Sequence, residues 1–292
     1  MSAKPTKDAR ETVGTTGHVW DGIEELNNPM PRWWLWTFYA TIFWAVIYTI
    51  LYPAWPLLNG ATPGLLGWST RANVAAEMAA FNAANAPMRE RLVAADLTAI
   101  NSDPELLQFA TNAGASVFRT NCSQCHGSGA AGVQAGGFPN LLDDDWLWGG
   151  SINDILMTVI HGIRNTSDPE ARYSEMPAFG KDKMLEPAQI DAVVQFVMSL
   201  TNAAENPALV PEGKQVFAEN CASCHGDNGK GNREFGAPNL TDAIWLYGGD
   251  KNSITYSVAN ARFGVMPNWN TRLSEADMRS VAVYVHGLGG GE

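Results

Sequence analysis

Apolar and polar positions divide the chain into stretches of different character. Residues 1–32 are polar, with Lys4, Lys7, Arg10 and Arg32 set among Asp8, Glu11, Asp21, Glu24 and Glu25. No apolar run or small-residue cleavage site lies there, so no removable signal peptide is expected. Trp33 to Tyr52 then reads WWLWTFYATIFWAVIYTILY, 20 residues without a charge. A helix rising about 1.5 Å per residue spans about 30 Å over such a run, the thickness of bilayer hydrocarbon. A soluble core rarely asks for a helix that is apolar all round, and a transmembrane helix is predicted. Trp33, Trp34 and Trp36 at one end, and Tyr52 and Trp55 at the other, fall where interfacial aromatic belts sit. Pro53 and Pro56 end the helix. The span holds no ionisable residue, so it is an anchor and not a proton path.

Beyond the anchor, Asn59, Gly60, Pro63, Gly64 and Gly67 break the chain, which reads as an interfacial segment and not a second span. Asn73 to about Ala110 is Ala-rich and helical in pattern, interrupted at Pro87 and Pro104, and is expected to be a structured linker. From residue 111 the sequence repeats. Gly114-Ala-Ser-Val-Phe-Arg-Thr-Asn-Cys122-Ser-Gln-Cys125-His126 returns as Gly213-Lys-Gln-Val-Phe-Ala-Glu-Asn-Cys221-Ala-Ser-Cys224-His225, an offset of 99 residues. Pro139-Asn140-Leu141 and Trp146 return at the same offset, as Pro238-Asn239-Leu240 and Trp245. Met176-Pro177 returns as Met266-Pro267 at an offset of 90, so the first copy carries 9 extra residues, placed around Asn165 to Ser174. Each copy closes with an amphipathic pattern, Pro187 to Leu200 and Glu275 to Leu288, in which Ile190, Val193, Val194 and Val197 share one helix face.

Composition narrows the classes. The chain has 292 residues, 46% hydrophobic and 17% charged, with a net charge of −11. That balance argues against nucleic-acid binding, which needs a basic face. Two repeats of about 90 residues are marginal on their own cores, so an added apolar centre is expected.

The two Cys-x-x-Cys-His motifs supply it: each reads as a covalent attachment site for c-type haem. Two thiols one helical turn apart can meet two vinyl groups, and the adjacent His then lies beneath the iron. A structural zinc site needs four ligands with closely spaced Cys pairs, whereas these pairs lie 99 residues apart. A thioredoxin-like pair does not require the His. The sixth ligand is narrowed by the repeat. Met157, Met184, Met198 and Met278 have no counterpart in the other copy, whereas Met176 and Met266 correspond and each precedes Pro. A Met ligand closes a haem for electron transfer. His161, aligned with Asn260, is the alternative ligand for the first haem. His18 lies before the anchor, and His286 reads as an ordinary terminal-helix side chain. The Pro139 and Pro238 carbonyls are candidate acceptors for the proximal imidazoles. Haem attachment to this motif takes place outside the bacterial cytoplasm, so the repeats are expected to be periplasmic and the N-terminus cytoplasmic.

Each repeat resembles a class I cytochrome c: Gly and an aromatic in the first helix (Gly114 and Phe118; Gly213 and Phe217), Cys-x-x-Cys-His, Pro-Asn-Leu, a distal Met, and an aromatic on the last helix (Phe196; Tyr284). The run His18-Val-Trp-Asp-Gly-Ile-Glu-Glu-Leu-Asn-Asn-Pro-Met-Pro-Arg-Trp-Trp-Leu-Trp, with the span and Tyr52-Pro53, resembles the anchor of the di-haem subunit of cbb3-type cytochrome c oxidases. The resemblance implies a mainly α fold: one N-terminal transmembrane helix followed by two tandem class I cytochrome c domains. The expected divisions are a cytoplasmic segment (1–32), the anchor (33–55), a periplasmic interfacial segment and helical linker (56–110), and cytochrome domains at 111–204 and 205–292. It further implies two covalently bound haems c, one on Cys122, Cys125, His126 and Met176, the other on Cys221, Cys224, His225 and Met266. No catalytic residue is expected in this chain. Electrons would pass from a donor cytochrome c, soluble or membrane-bound, through both haems to the mono-haem c subunit and the haem-copper subunit, in the bacterial inner membrane.

Two other functions are open to such a chain. A tethered di-haem carrier serving another reductase or reaction centre would keep the same haem sites. A di-haem enzyme such as a peroxidase or thiosulfate-oxidising cytochrome would need a displaceable or unusual ligand, for which the sequence offers only His161. The repeats carry net charges of −5 (111–204) and −3 (205–292). Asp143-Asp144-Asp145 is the densest acidic run, either a solvated loop or a patch that steers a basic donor.

Overall fold

The computed structural model describes residues 13–292, so Lys4, Lys7, Asp8, Arg10 and Glu11 of the expected cytoplasmic segment lie outside the described residues. Packing divides the chain after Ala84 into two compact units. In the first, β1 (Thr15–Trp20) and β2 (Ile23–Leu26) form an antiparallel hairpin. Its two-residue turn is Asp21-Gly22, both at positive φ (51° and 81°), the conformation that suits the twist of a hairpin. Helix α1 (Arg32–Leu51) follows, with no buried residue on any side. Among the described residues it is the one helix long and apolar enough to cross a membrane.

A short antiparallel pair, β3 (Pro56–Leu57) and β4 (Gly60–Ala61), leads the chain back to the end of α1. There the Leu65 and Leu66 N–H groups donate to the Ile50 and Leu51 carbonyls at 3.0 and 3.1 Å. These carbonyls have no partner within their own helix. Gly64 (φ +70°) makes the approach possible, because a side chain there would collide with the Leu51 backbone. Helix α2 (Thr70–Ala94) crosses the boundary between units and runs through Pro87 without a break, so Pro87 does not interrupt it as the sequence implied.

The second unit, Asn85–Glu292, contains α3 (Pro104–Val117), α4 (Ile152–His161), α5 (Pro187–Ser199), α6 (Val210–Asn220), α7 (Lys251–Asn260) and α8 (Glu275–His286). Several helices begin at side-chain caps: Asp103 for α3, Ser151 for α4, Asp250 for α7 and Ser274 for α8 each accept from a first-turn N–H. The segment expected to be a linker enters the core well before residue 110. Leu92, Leu97, Ile100, Leu106 and Ala110 are buried with Ile152 and Val283. Arg279 of α8 donates to the Leu92 and Ala95 carbonyls, and Arg89 pairs with Asp277 at 3.0 Å.

The helices do not pack repeat by repeat. The first helix of the first repeat, α3, lies on the last helix of the second, α8, and α6 of the second lies on α5 of the first. Phe118 meets Tyr284 (centroids 5.5 Å apart), and Phe217 meets Phe196 (5.0 Å). Each crossing is close because a glycine stands at it. A Cβ on Gly114 would strike the Ser280 carbonyl, and one on Gly213 the Ala192 carbonyl. One half of the unit is therefore residues 85–161 with 266–292, and the other is 176–260. The chain crosses between them at 162–175 and returns at 261–265. The two halves are not the sequence repeats 111–204 and 205–292; each takes its Met loop and last helix from the opposite copy.

Gly114→Ala and Gly213→Ala should each destabilise the chain by about 1–3 kcal/mol, the usual cost of forcing extra volume into a packed contact. Urea unfolding of the detergent-solubilised chain measures this, and wild-type midpoints for both variants would contradict the close crossings.

Candidate functional site

Helix α3 runs into a wider π-type turn, Phe118–Cys122, and then the helical turn Ser123–His126. Cys122 and Cys125 are thereby one turn apart with His126 beside them, and Gly127 (φ +78°) ends the turn. After α6 the turn Ala222–His225 places Cys221, Cys224 and His225 in the same way, ended by Gly226 (φ +75°). Both imidazoles are fixed as the sequence implied: His126 Nδ1 is 3.2 Å from the Pro139 carbonyl, and His225 Nδ1 is 3.2 Å from that of Pro238. A carbonyl only accepts, so Nδ1 carries the proton and Nε2 keeps its lone pair. Burial lowers the pKa of both imidazoles, partly opposed by the Pro carbonyls, which favours the neutral ligand form. Burial, reinforced by the neighbouring thiol, pushes Cys122 and Cys221 up to about 11. Neither is an activated thiolate at neutral pH.

Each turn opens on a largely apolar cavity. The first is lined by Phe118, Cys122, Cys125, His126, Ile155, Val159, Val281 and Met266. The second is lined by Phe217, Cys221, Cys224, His225, Val193, Val197, Ile254 and Met176. The methionines are thus exchanged relative to sequence order, which pairs His126 with Met176 and His225 with Met266. The backbone explains the exchange. Ile163, just after α4, trades both N–H···O bonds with Met266 at 3.0 Å each, and the Trp269 N–H donates to the Val159 carbonyl (3.1 Å). The corresponding Phe179 N–H donates to the Val258 carbonyl at the end of α7 (3.1 Å). Two thiols and an imidazole with a thioether lining the same apolar cavity are the donor set of a His/Met haem c. The residues present fit that group at both sites.

The cavities share a wall: Asp145, Leu147, Arg164, Leu246 and Gly264 line both. Arg164 lies 5.8 Å from the Trp148 ring centre and 5.9 Å from that of Phe263, and donates to the Ser174 and Gly264 carbonyls. Burial lowers its pKa, as it should for a cation held between two apolar spaces. Trp148 lines the first cavity, and its buried Nε1–H has no acceptor among the described residues. Neither Arg164 nor Trp148 was singled out by sequence reasoning, because Phe263 and Tyr247 stand at their offset positions and the repeat gave no matching signal.

Two further expectations change. His161, the alternative ligand, lines neither cavity and pairs instead with Asp168 at 3.1 Å. Of the acidic run only Asp144 is exposed; Asp143 and Asp145 are partly buried. Asp145 is pushed up to about 6, by burial first and then by Asp242, Asp143 and Asp144, against the pull of Arg233.

An apolar anchor helix followed by two cytochrome c domains defines a membrane-anchored c-type cytochrome. Three families match along the chain. They are described as "N-terminal domain of cytochrome oxidase-cbb3, FixP" (residues 12–59), "Cytochrome c" (111–201) and "Cytochrome C oxidase, cbb3-type, subunit III" (208–285). The cbb3-type cytochrome c oxidase subunit CcoP of Cereibacter sphaeroides is 66% identical over 292 residues, covering all of both chains. That of Rhodobacter capsulatus is 56% identical over 301 residues, again covering both completely. The subunit FixP of Sinorhizobium medicae is 56% identical over 280 residues, 96% of each chain. The chain belongs to the CcoP/FixP family of cbb3-type cytochrome c oxidase subunits. It is a haem c protein with an electron-transfer role in an oxidoreductase complex.

The Asp145 shift carries a pH dependence. Between about pH 4, where an unfolded Asp titrates, and about 6, the folded chain holds a proton that the unfolded chain has lost. Stability therefore falls as pH rises through that window and stays lower above it. Asp145→Asn should stabilise the chain at pH 7 by about 1 kcal/mol, allowing for solvent screening, and not at all below about pH 4. Thermal unfolding at the two pH values checks this; an equal effect at both would contradict it.

Proposed function

We propose that this chain accepts electrons from a donor cytochrome c and relays them through two His/Met haems c toward the catalytic haem-copper subunit, by way of the mono-haem c subunit. The observation that carries the reading is the pair of Cys-x-x-Cys-His turns, each opening on a buried cavity that also holds a methionine, with one wall in common. When bound, haem c supplies a one-electron iron couple.

The chain's own residues do the rest. Cys122 and Cys125, and Cys221 and Cys224, attach the two groups. His126 with Met266 holds one iron and His225 with Met176 the other, the proximal imidazoles aimed by Pro139 and Pro238. A second-partner carbonyl of this kind raises ligand basicity and fixes ring orientation. The apolar linings exclude water. Arg164 stands in the shared wall as a cation for the carboxylates that haem carries, and the orphaned Trp148 N–H offers a donor to the same chemistry. With an imidazole and a thioether available to each iron, neither site would keep an open position for oxygen, which would leave oxygen reduction to the catalytic partner. α1 anchors the chain in the bacterial inner membrane, with the N-terminus cytoplasmic and both haem domains periplasmic.

Met266→Ala and Met176→Ala in the purified oxidase should each open one c-type haem to carbon monoxide and remove half of this chain's contribution to the methionine–iron(III) charge-transfer absorption, while covalent haem content stays unchanged. The double variant should open both. A c-type haem complement as closed to carbon monoxide as in the wild-type oxidase, in either single variant, would refute the ligand assignment. Recovery of the tagged chain without haem b or copper would refute the oxidase role.

A further inference from the structure

The extra residues of the first repeat lie in the first crossover, and they do more there than span a gap. Helix α4 ends at His161, and Gly162 (φ +72°) turns the chain into the strap 163–174. The strap folds back over the loop that carries Met266. Asn165 Nδ2 donates to the His161 carbonyl (2.7 Å) and reaches that of Met266 (3.3 Å). The Asn165 side-chain oxygen accepts from the Asp168 N–H (3.1 Å), which fixes the carboxylate. Asp168 is buried, and one of its oxygens takes two partners: Asn270 Nδ2 at 2.7 Å and His161 Nδ1 at 3.1 Å. Asn270 is tied in turn to buried Asn268 (2.7 Å).

From these contacts we infer that Asp168 is a positioning residue for Met266: it locks the strap to Asn270 and so holds the methionine loop against the cavity of His126. This rests on the reading of Met266 as the ligand proposed above. Two observations single out Asp168 within the cluster. It joins the end of α4 to a loop about a hundred residues later in sequence, and a buried carboxylate is costly unless such partners satisfy it. The other half has no equivalent. Asn260 stands where His161 does, Gly180 where Asn270 does, and the strap's extra residues have no counterpart. After Met176 the loop is held there by backbone bonds, the Phe179 N–H on the Val258 carbonyl (3.1 Å) and the Gly180 and Lys181 N–H groups on the Ala259 carbonyl (3.1 and 2.8 Å). Before it, Arg164 donates to the Ser174 carbonyl. The lock therefore acts on one of the two sites.

The test uses the intact, detergent-solubilised oxidase and follows its c-type absorption bands. In Asp168→Ala one c-type haem should become reactive to carbon monoxide, up to half of this chain's contribution to the methionine–iron(III) charge-transfer absorption should be lost, and one c-type potential should fall while the others stay. Asp168→Asn keeps an acceptor oxygen for Asn270 and should retain most of the wild-type spectrum. Asn270→Ala, which leaves the His161–Asp168 pair intact, should reproduce a weaker form of the alanine phenotype, and it serves if Asp168→Ala does not assemble. Asp168→Ala combined with Met176→Ala should open two c-type haems, and combined with Met266→Ala only one. Wild-type charge-transfer absorption and no newly opened c-type haem in both Asp168→Ala and Asn270→Ala would overturn the inference, as would opening of the same haem that Met176→Ala opens. Met266→Ala run alongside separates the two failures. If it opens no c-type haem, the ligand assignment is wrong; if it opens one and the strap variants open none, only the strap's role is wrong.

Discussion

The two-cavity unit depends on one kind of contact, a helix backbone approaching another closely enough that only glycine fits at the crossing. Gly114 lets α3 settle on α8, and Gly213 lets α6 settle on α5. Each crossing brings an aromatic near the C-terminal end of the first helix onto the aromatic of the last, Phe118 onto Tyr284 and Phe217 onto Phe196. It also sets the Cys-x-x-Cys-His turn at the mouth of a cavity whose other elements are the Met loop and last helix. Moving either helix outward by a methyl group would widen the cavity that the imidazole and the thioether both line.

That contact also accounts for the exchange of methionines. Both copies carry the same interface type, so α3 can in principle pack on α5 or on α8 with nearly the same chemistry. Exchange of identical elements changes few contacts and so costs little. What distinguishes the alternatives is the connections between the elements. The first crossover is 9 residues longer than the second, by the two repeat offsets, and those residues build a polar strap around Asp168. The return at 261–265 is short and is held by Ile163 pairing with Met266. The result is two interlocked cavities: neither repeat supplies both the Cys-x-x-Cys-His turn and the methionine of one cavity, and the shared wall at Asp145, Leu147 and Arg164 keeps the cavities adjacent.

Much of this was legible in the sequence wherever the determinant is local. An uncharged run of the right length marks α1, and Cys-x-x-Cys-His fixes its own geometry within one turn. The Pro139 and Pro238 carbonyls follow from a repeated Pro-Asn-Leu at a constant offset, and Met-Pro stood out because only those methionines recur. The exchange was not legible, because repeat alignment matches residues to equivalent roles and is silent about which copy a role is shared with. The hairpin at 15–26 has a local signal in Asp21-Gly22, but it sits in a polar stretch without the alternating apolar positions that mark strands. The burial of Leu92, Leu97 and Ile100 was hidden in an Ala-rich stretch whose Pro87 looked like a break. The sequence places Asp145 in an acidic run that reads as either a solvated loop or a steering patch, exposed in both cases, since burial depends on the cavity wall it joins, which only the fold assembles.

Cleavage between the repeats tests the interlocked arrangement most directly. A protease site placed in the turn between Leu200 and Pro207 separates the chain into an anchored piece and a C-terminal piece, each with one Cys-x-x-Cys-His motif. With elements exchanged, both pieces contribute to both halves. The C-terminal haem fragment should then stay with the membrane after complete cleavage, with both methionine-ligated spectra intact, and separate only on denaturation. Release of the C-terminal fragment into the soluble fraction, still carrying a methionine-ligated haem, would contradict the account.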